Sequence, residues 1–348
     1  MLLESVVLAC SRNITSNRTP SAIYHVITGK RSAQTMQDIH IYDLQNYYGI
    51  YPTLSNGAFQ TLIGQLTQQH FLHLNENNFF QLTAHGEKWL FHQERSFSHE
   101  KFSGLKFHKL TSAFSNRLLL TIQTMANMMR RNFHFIPVVD NSAVQSWVKS
   151  WYNRIKSQMD YYRERLYQEL DSILHTLTNQ EASFFVDRLT GYKVYGMSSQ
   201  QLAETYQYPV TDIPLIWTRI MHQLLETIHN DTGCYPMLYT FIDHESKQPF
   251  ITATAKKTYQ LLEQGHTVEM IASFRRLKVS TIYDHIVEIA LVIPSFSITP
   301  FMDHTQYEKI AQAIGQTTNY SLKQLKELVD PEISYFQIRL VLATIKHK

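Results

Sequence analysis

The chain has 348 residues, 44% of them hydrophobic, which suits two or three domains with a sizeable core and excludes a disordered polymer. The net charge of +3 is spread thinly, with 6 basic against 6 acidic residues in 1–95, 14 against 12 in 96–240 and 12 against 11 in 241–348; no third is a polycation, so any nucleic-acid contact has to come from local clusters. No apolar run is long enough to cross a bilayer, and the 17 histidines and 2 cysteines show no HExxH or paired Cys/His spacing, so neither a membrane span nor a metal or other cofactor is expected.

The opening MLLESVVLACSRN is apolar, but Glu4 interrupts it and no basic stretch precedes it, which argues against a signal peptide. Cys10 and Cys234 are no disulfide framework; a single bridge stays open, and a reducing cytoplasm is the simpler reading. Ser21–Lys30 and Ala33–Gln45 read as short helices. Ser55 stands as an N-cap before Phe59, Leu62, Ile63 and Leu66, which share one helix face. Leu72 and Leu74, the turn NENN, then Phe80 and Leu82 alternate as a hairpin. Three helices followed by a two-stranded flap is the order of a winged helix, expected over 1–95, with a ligand-free packing unit as the alternative.

A central helical domain is expected over 100–240. Ser112–Arg131 is an apolar-rich helix. In Val144–Leu177, apolar residues from Trp147 to Leu177 recur at steps of three or four, predicting one helix of about 34 residues, roughly 50 Å long. Trp147 and Trp151 read as packing, and the helix's lysines and arginines as a wet face. Two more helices follow around the proline of TYQYPVTDIP.

The last domain is expected over 245–348. Thr254–Gln264 reads as a helix closed by Gly265, Thr267 as the cap of the next, and Ser280 as the cap of the one after. Asp330-Pro331-Glu332 reads as the start of a final helix. The pair IASFRRLKVSTIYDHIVEIAL has the pattern of a helix-turn-helix. Ala272 allows close approach, and Ile282, His285, Ile286 and Ile289 face inward. Its second helix places Asp284 and Glu288 outward, and Tyr283, Val287 and Leu291 form a further strip, which suggests cover by C-terminal helices or by a partner.

The string TATAKKTYQLLEQGHTVEMIASFRRLKVSTIYDHIVEIAL resembles the helicase helix-turn-helix domain at the end of some RecQ-type helicases. The front segment, with its YG, its helix after LS and its LT-x-x-G exit from the flap, is similar to the winged-helix part of the RecQ C-terminal region. Together they resemble the YpbB-like proteins of Gram-positive bacteria, which are encoded beside a RecQ-type helicase short of accessory domains. The resemblance implies a mainly α chain that carries nucleic-acid and docking modules in trans, with no ATPase; no GxxxxGK[ST] loop occurs. One departure concerns the flap tip, Asn75-Glu76-Asn77-Asn78, which lacks the aromatic that would stack on an end base pair.

The sequence therefore points to a non-catalytic accessory protein of DNA repair or recombination. It would bind DNA weakly through the backbone and dock on a RecQ-type helicase, with no small-molecule substrate. Candidate DNA contacts are Arg275, Arg276 and Lys278 at the turn, the pairs Lys256–Lys257 and Lys30–Arg31, and Ser280, Thr281 and Tyr283 at the helix start. Each has a plainer reading as a solvated charge, a cap or packing. A transcription regulator and an interaction scaffold without DNA contact stay open as alternatives. Asp284, Glu288 and the lack of Arg, Asn or Gln in Thr281–Leu291 speak against the regulator.

Overall fold

The computed structural model describes residues 1–14, 18–94, 101–242, 251–293, 295–316 and 322–345. The protein is mainly α with one two-stranded hairpin among the described residues. The chain divides into two compact units. One comprises Met1–Val6, Gly49–Tyr51 and Gln93–Lys247; the other comprises Val7–Tyr48, Pro52–His92 and Gln248–Lys348.

In the first unit, the start of α1 (Leu2–Asn13) has an acceptor for its orphan amides. The buried Asp212 carboxylate accepts from the Leu2 N–H at 2.7 Å and the Leu3 N–H at 3.0 Å. That partner is 210 residues away, so the MLLESVV run gave no local sign of a helix. The flap helices of the other unit come next in the chain: α2 (Pro20–Thr28), α3 (Ala33–Ile41), α4 (Asn56–Gln68) and α5 (Ala84–Glu94). The first unit resumes with α6 (Gly104–Met129), α7 (Ser142–Ile155), α8 (Met159–Leu174), α9 (Asn179–Asp187), α10 (Ser199–Tyr206), α11 (Ile213–Asn230) and the short α12 (Pro236–Tyr239). The single long helix expected over 144–177 is two helices. A 3-10 turn, Lys156–Gln158, separates α7 from α8, and Gln158 leaves helical geometry at φ −126°, ψ 33°. The halves follow different partners. Val144 and Val148 of α7 join Leu119 and Leu120 of α6 in one cluster. Glu169 of α8 instead accepts from the Met237 and Leu238 amides at 3.1 and 2.9 Å, capping α12. Neither Gly nor Pro marks the break, so periodicity ran through it.

The second unit opens with the three-helix-plus-flap order. Ile23, Val26 and Ile27 of α2, Met36 and Ile39 of α3, and Phe59, Leu62, Ile63 and Leu66 of α4 are buried. Ser55 caps α4 as expected, its Oγ accepting from the Ala58 N–H at 3.2 Å. Strands β1 (Leu72–Leu74) and β2 (Phe80–Leu82) pair antiparallel, Leu72 opposite Leu82 and Leu74 opposite Phe80. At the tip, Asn75 Oδ1 accepts from the Asn77 and Phe79 amides, and Asn78 takes the left-handed conformation at φ 61°. Phe80 is buried and Phe79 half-buried, so the tip carries no projecting aromatic. The LT-x-x-G exit has a physical reason. Thr83 Oγ1 accepts from the Gly86 N–H at 3.0 Å, and a Cβ on residue 86 would lie 2.4 Å from the Phe71 carbonyl oxygen, so only glycine fits.

The same unit holds α13 (Ala253–Glu263), α14 (Val268–Arg275), α15 (Val279–Val292), α16 (His304–Gly315), α17 (Leu322–Leu328) and α18 (Tyr335–Thr344). Gly265 closes α13 at φ 82°, and Thr267 Oγ1 accepts from the Met270 N–H at 3.3 Å to cap α14, both as read from the sequence. The last helix begins later than expected. Asp330 to Ile333 is a turn, with the Ile333 N–H on the Asp330 carbonyl, and Ser334 with Gln337 forms a capping box that starts α18. Among the described residues no helix is long and apolar enough to cross a membrane.

Candidate nucleic-acid interface

The helix-turn-helix is α14, a turn and α15. Arg276 closes α14 in the left-handed conformation at φ 53°, with its N–H on the Ser273 carbonyl and the Leu277 N–H on the Ala272 carbonyl. This turn leaves Arg276 and Lys278 exposed. The cap of α15 is displaced from the expected residue. Helix α15 begins at Val279, Lys278 holds the N-cap position, and Ser280 lies exposed within the first turn. Ser280 therefore does not cap. Thr281 is half-buried and donates its N–H to the Lys278 carbonyl.

The body of α15 is not available to a groove. It packs against α13, α14, α18 and α3, and Ile282, His285, Ile286, Val287, Glu288, Ile289 and Ala290 are buried. The outer strip noted in the sequence is covered from within the chain. Tyr283 stacks on Phe336 of α18 with centroids 4.1 Å apart, and Val287 is fully buried. The outward placement expected for Glu288 is corrected, whereas Asp284 stays partly exposed. Asp284 accepts from Arg339 Nη2 at 2.6 Å, and Glu288 is 3% exposed. Glu288 accepts from the Thr252 N–H at 2.5 Å and the Thr252 hydroxyl at 3.0 Å. Burial raises its pKa, while the Thr252 bonds and nearby Arg31 pull it back down. A carboxylate that looked like a repellent on the reading helix is thus a brace at the start of α13.

The same region gathers cations far apart in sequence. Arg31 donates to the Ile251 carbonyl just before α13. Arg275 donates to the Thr254 carbonyl at 2.8 Å and to the Thr258 hydroxyl, and its Nη1 lies 3.4 Å from His285 Nδ1. Both guanidiniums hold the backbone at 251–254, where α13 begins and where Lys256 and Lys257 stand exposed one turn further on. Lys30 is exposed beside Arg31, its Nζ 3.2 Å from His25 Nε2. Arg275 is half-buried, and burial lowers its pKa; burial and the Arg275 charge lower that of His285, whose Nδ1 lies 2.9 Å from the Thr258 hydroxyl. Arg275 is thus a scaffold for the turn, whereas Arg276 and Lys278 face solvent.

Two recesses on this unit have a different character. A cleft of about 810 Å³ is lined by Tyr259, Tyr283, Phe296, Phe301 and Phe336, with Glu263 and Glu269 and no Lys or Arg. A neighbouring one of about 660 Å³ is lined by Leu261, Met270, Ile271 and Phe274, the last 79% exposed. Neither attracts phosphate. The exposed Phe274 went unremarked in the sequence, because α14 periodicity assigns faces without saying which face is covered. The Asp284–Arg339 pair spans 55 residues and has no local signal.

Comparison with known proteins agrees with this geometry. A family model described as a helix-turn-helix domain matches residues 254–342. Protein YpbB of Bacillus subtilis (strain 168) is 28% identical over 343 residues, covering 97% of this chain and 96% of that protein. No solved structure matches the chain significantly. With its flap-bearing front segment and its C-terminal helix-turn-helix, the chain is similar to Protein YpbB along nearly its whole length.

Proposed function

We propose that the protein is a non-catalytic, DNA-binding accessory chain that works with a RecQ-type helicase in repair or recombination. The helix-turn-helix supports DNA binding, and the observation that carries the reading is the burial of α15 beside exposed cations. A helix packed on α3, α13, α14 and α18 leaves its first turn and the partly exposed Tyr283 and Asp284 outside, with no Arg, Asn or Gln among them to read base edges. The turn between α14 and α15 still offers Arg276 and Lys278, next to first-turn amides that favour anions. Lys30, Arg31, Lys256 and Lys257 flank the start of α13 and extend the cationic surface. Such contacts position a phosphate backbone without sequence preference. This reading disfavours a sequence-specific regulator.

The exposed Phe274 and Met270 on α14 favour a second role for the same unit, contact with a protein. The RecQ-type helicase suggested by the sequence resemblance is the partner proposed. The test is co-purification of the two proteins, followed by titration with unrelated duplexes and with forked DNA. Equal affinity across duplex sequences together with a stable helicase complex supports the proposal. A single preferred palindrome, or failure to retain the helicase in the absence of DNA, refutes the corresponding half.

A further inference from the structure

The first unit carries a surface that the helix-turn-helix reading does not use. Between α6 and α7 the chain runs RRNFHFIPVV over 130–139 with no secondary structure, and between α9 and α10 it runs GYKVYG over 191–196. Both segments leave one hydrophobic cluster. Val139, at the end of the first, is buried with Leu119, Leu120, Val144 and Val148, and Leu189, just before the second, packs against that cluster. A Cβ on Gly191 would lie 3.6 Å from the Ala126 Cβ, one turn before α6 ends, so the second segment sits beside the origin of the first.

Both segments are held in place. The side chain of buried Gln123 donates to the Ile136 carbonyl at 3.0 Å and accepts from the Val138 N–H at 2.8 Å. Asn132 donates to Asn127 Oδ1 at 2.6 Å. In the second segment the Gly191 N–H bonds the Val194 carbonyl and the Gly196 N–H bonds Thr190 Oγ1; a Cβ at 196 would meet the Arg188 carbonyl oxygen at 2.2 Å. Despite this fixed backbone, the large side chains point into solvent. Phe133 is 66% exposed, Tyr195 87% and Ile136 89%. Rigid presentation of large apolar groups that find no internal partner marks a binding surface. The exposed cations there are Arg130, Arg131 and Lys193, while Arg188 lies half-buried over the Trp217 ring; neither 130–139 nor 191–196 contains an Asp or Glu, and Asp140 and Asp187 stand just outside. Lys193 Nζ lies 5.4 Å from the centre of the Tyr192 ring.

We propose that these two segments form a platform for single-stranded nucleic acid. Phe133 and Tyr195 supply ring faces for unstacked bases, and Arg130, Arg131 and Lys193 supply the charge that follows the backbone. A duplex offers no base faces to such rings, which separates this surface from the backbone contacts proposed at the helix-turn-helix. The inference does not rest on that other reading, since its residues all lie in the first unit.

The test measures fluorescence anisotropy of a labelled oligothymidylate of about 20 nucleotides with the full chain. Phe133→Ala with Tyr195→Ala is expected to weaken binding about 10-fold or more, as loss of one or two base stacks requires. Both side chains are exposed, so the fold should hold, and circular dichroism checks that. Phe133→Trp with Tyr195→Trp retains affinity, whereas Phe133→Leu with Tyr195→Leu loses it, because a stack needs a ring and not merely apolar area. Phe133→Ala with Tyr195→Ala lowers oligothymidylate affinity more than duplex affinity, whereas Arg276→Ala with Lys278→Ala lowers duplex affinity more. The proposal is overturned if the double alanine variant binds the oligonucleotide like the parent, or if the leucine variant does. It is also overturned if vesicles of phosphatidylglycerol and phosphatidylcholine bind the parent chain while the oligonucleotide does not.

Discussion

Replacing Glu288 tests whether α15 is a structural helix rather than a reading helix. Its carboxylate is buried and accepts from the N–H and the hydroxyl of Thr252, the N-cap of α13. Glu288→Ala leaves that N–H without its acceptor and opens a small void, at a cost of about 2–3 kcal/mol. Glu288→Gln keeps one acceptor oxygen and removes a charge that burial disfavours, so its cost stays below about 1 kcal/mol at neutral pH. The pH dependence has a definite sign. Burial raises the Glu288 pKa above the ordinary 4.5, so the folded chain binds a proton that the unfolded chain has already released. The stability this group contributes is present at acid pH and is lost as pH rises from 4.5 through the raised value; Gln removes that dependence. Hydrogen exchange at the Ala255 and Lys256 amides, which bond Thr252 Oγ1 and the Thr252 carbonyl, reports opening of this turn without requiring the two units to unfold together. Glu288→Ala should speed exchange there by about 30- to 150-fold, the equivalent of that cost. Exchange equal to that of the parent chain, or faster in the Gln variant than in the Ala variant, would refute the reasoning.

Other expectations rest on separate contacts. Gly86→Ala drives a Cβ against the Phe71 carbonyl oxygen and should cost about 1–3 kcal/mol, read as a lower urea midpoint with the hairpin amides exchanging first. Burial, with His108 adding to it, lowers His222 to about 3, while the ring accepts from the Ser103 N–H. The folded chain therefore refuses a proton that the unfolded chain takes up. Stability of the first unit falls as pH drops from 6.5 toward 3, which tryptophan-monitored urea unfolding detects, and His222→Gln flattens the fall. Arg275→Ala frees the Thr254 carbonyl and Thr258 hydroxyl, so it should loosen α13 and raise exchange there, whereas Arg276→Ala should leave exchange unchanged.

Local signals were legible in the sequence wherever a residue's own neighbours satisfy it. Ser55, Gly265 and Thr267 act on amides or carbonyls within a few positions, and the alternation around NENN sets a hairpin whose partners are close. Signals were lost where the partner is remote. Glu288 meets Thr252, so charge alone suggested exposure for a residue that braces a helix, and the pairing of Asp284 with Arg339 and of Asp212 with the first amides of α1 left no local sign. The break between α7 and α8 has the same origin, since the apolar period continues while the packing partners change. Among the DNA candidates, sequence proximity grouped Arg275 with Arg276. The fold instead turns Arg275 inward to the backbone and leaves Arg276 in solvent.

The most direct test of backbone binding is the salt dependence of affinity for a duplex of arbitrary sequence, comparing the parent chain with Arg276→Ala and Lys278→Ala combined. Loss of two phosphate contacts should flatten the plot of log affinity against log salt by about 1.8 in slope and weaken binding alike on every sequence. An unchanged slope, or no binding even at low salt, would contradict the account.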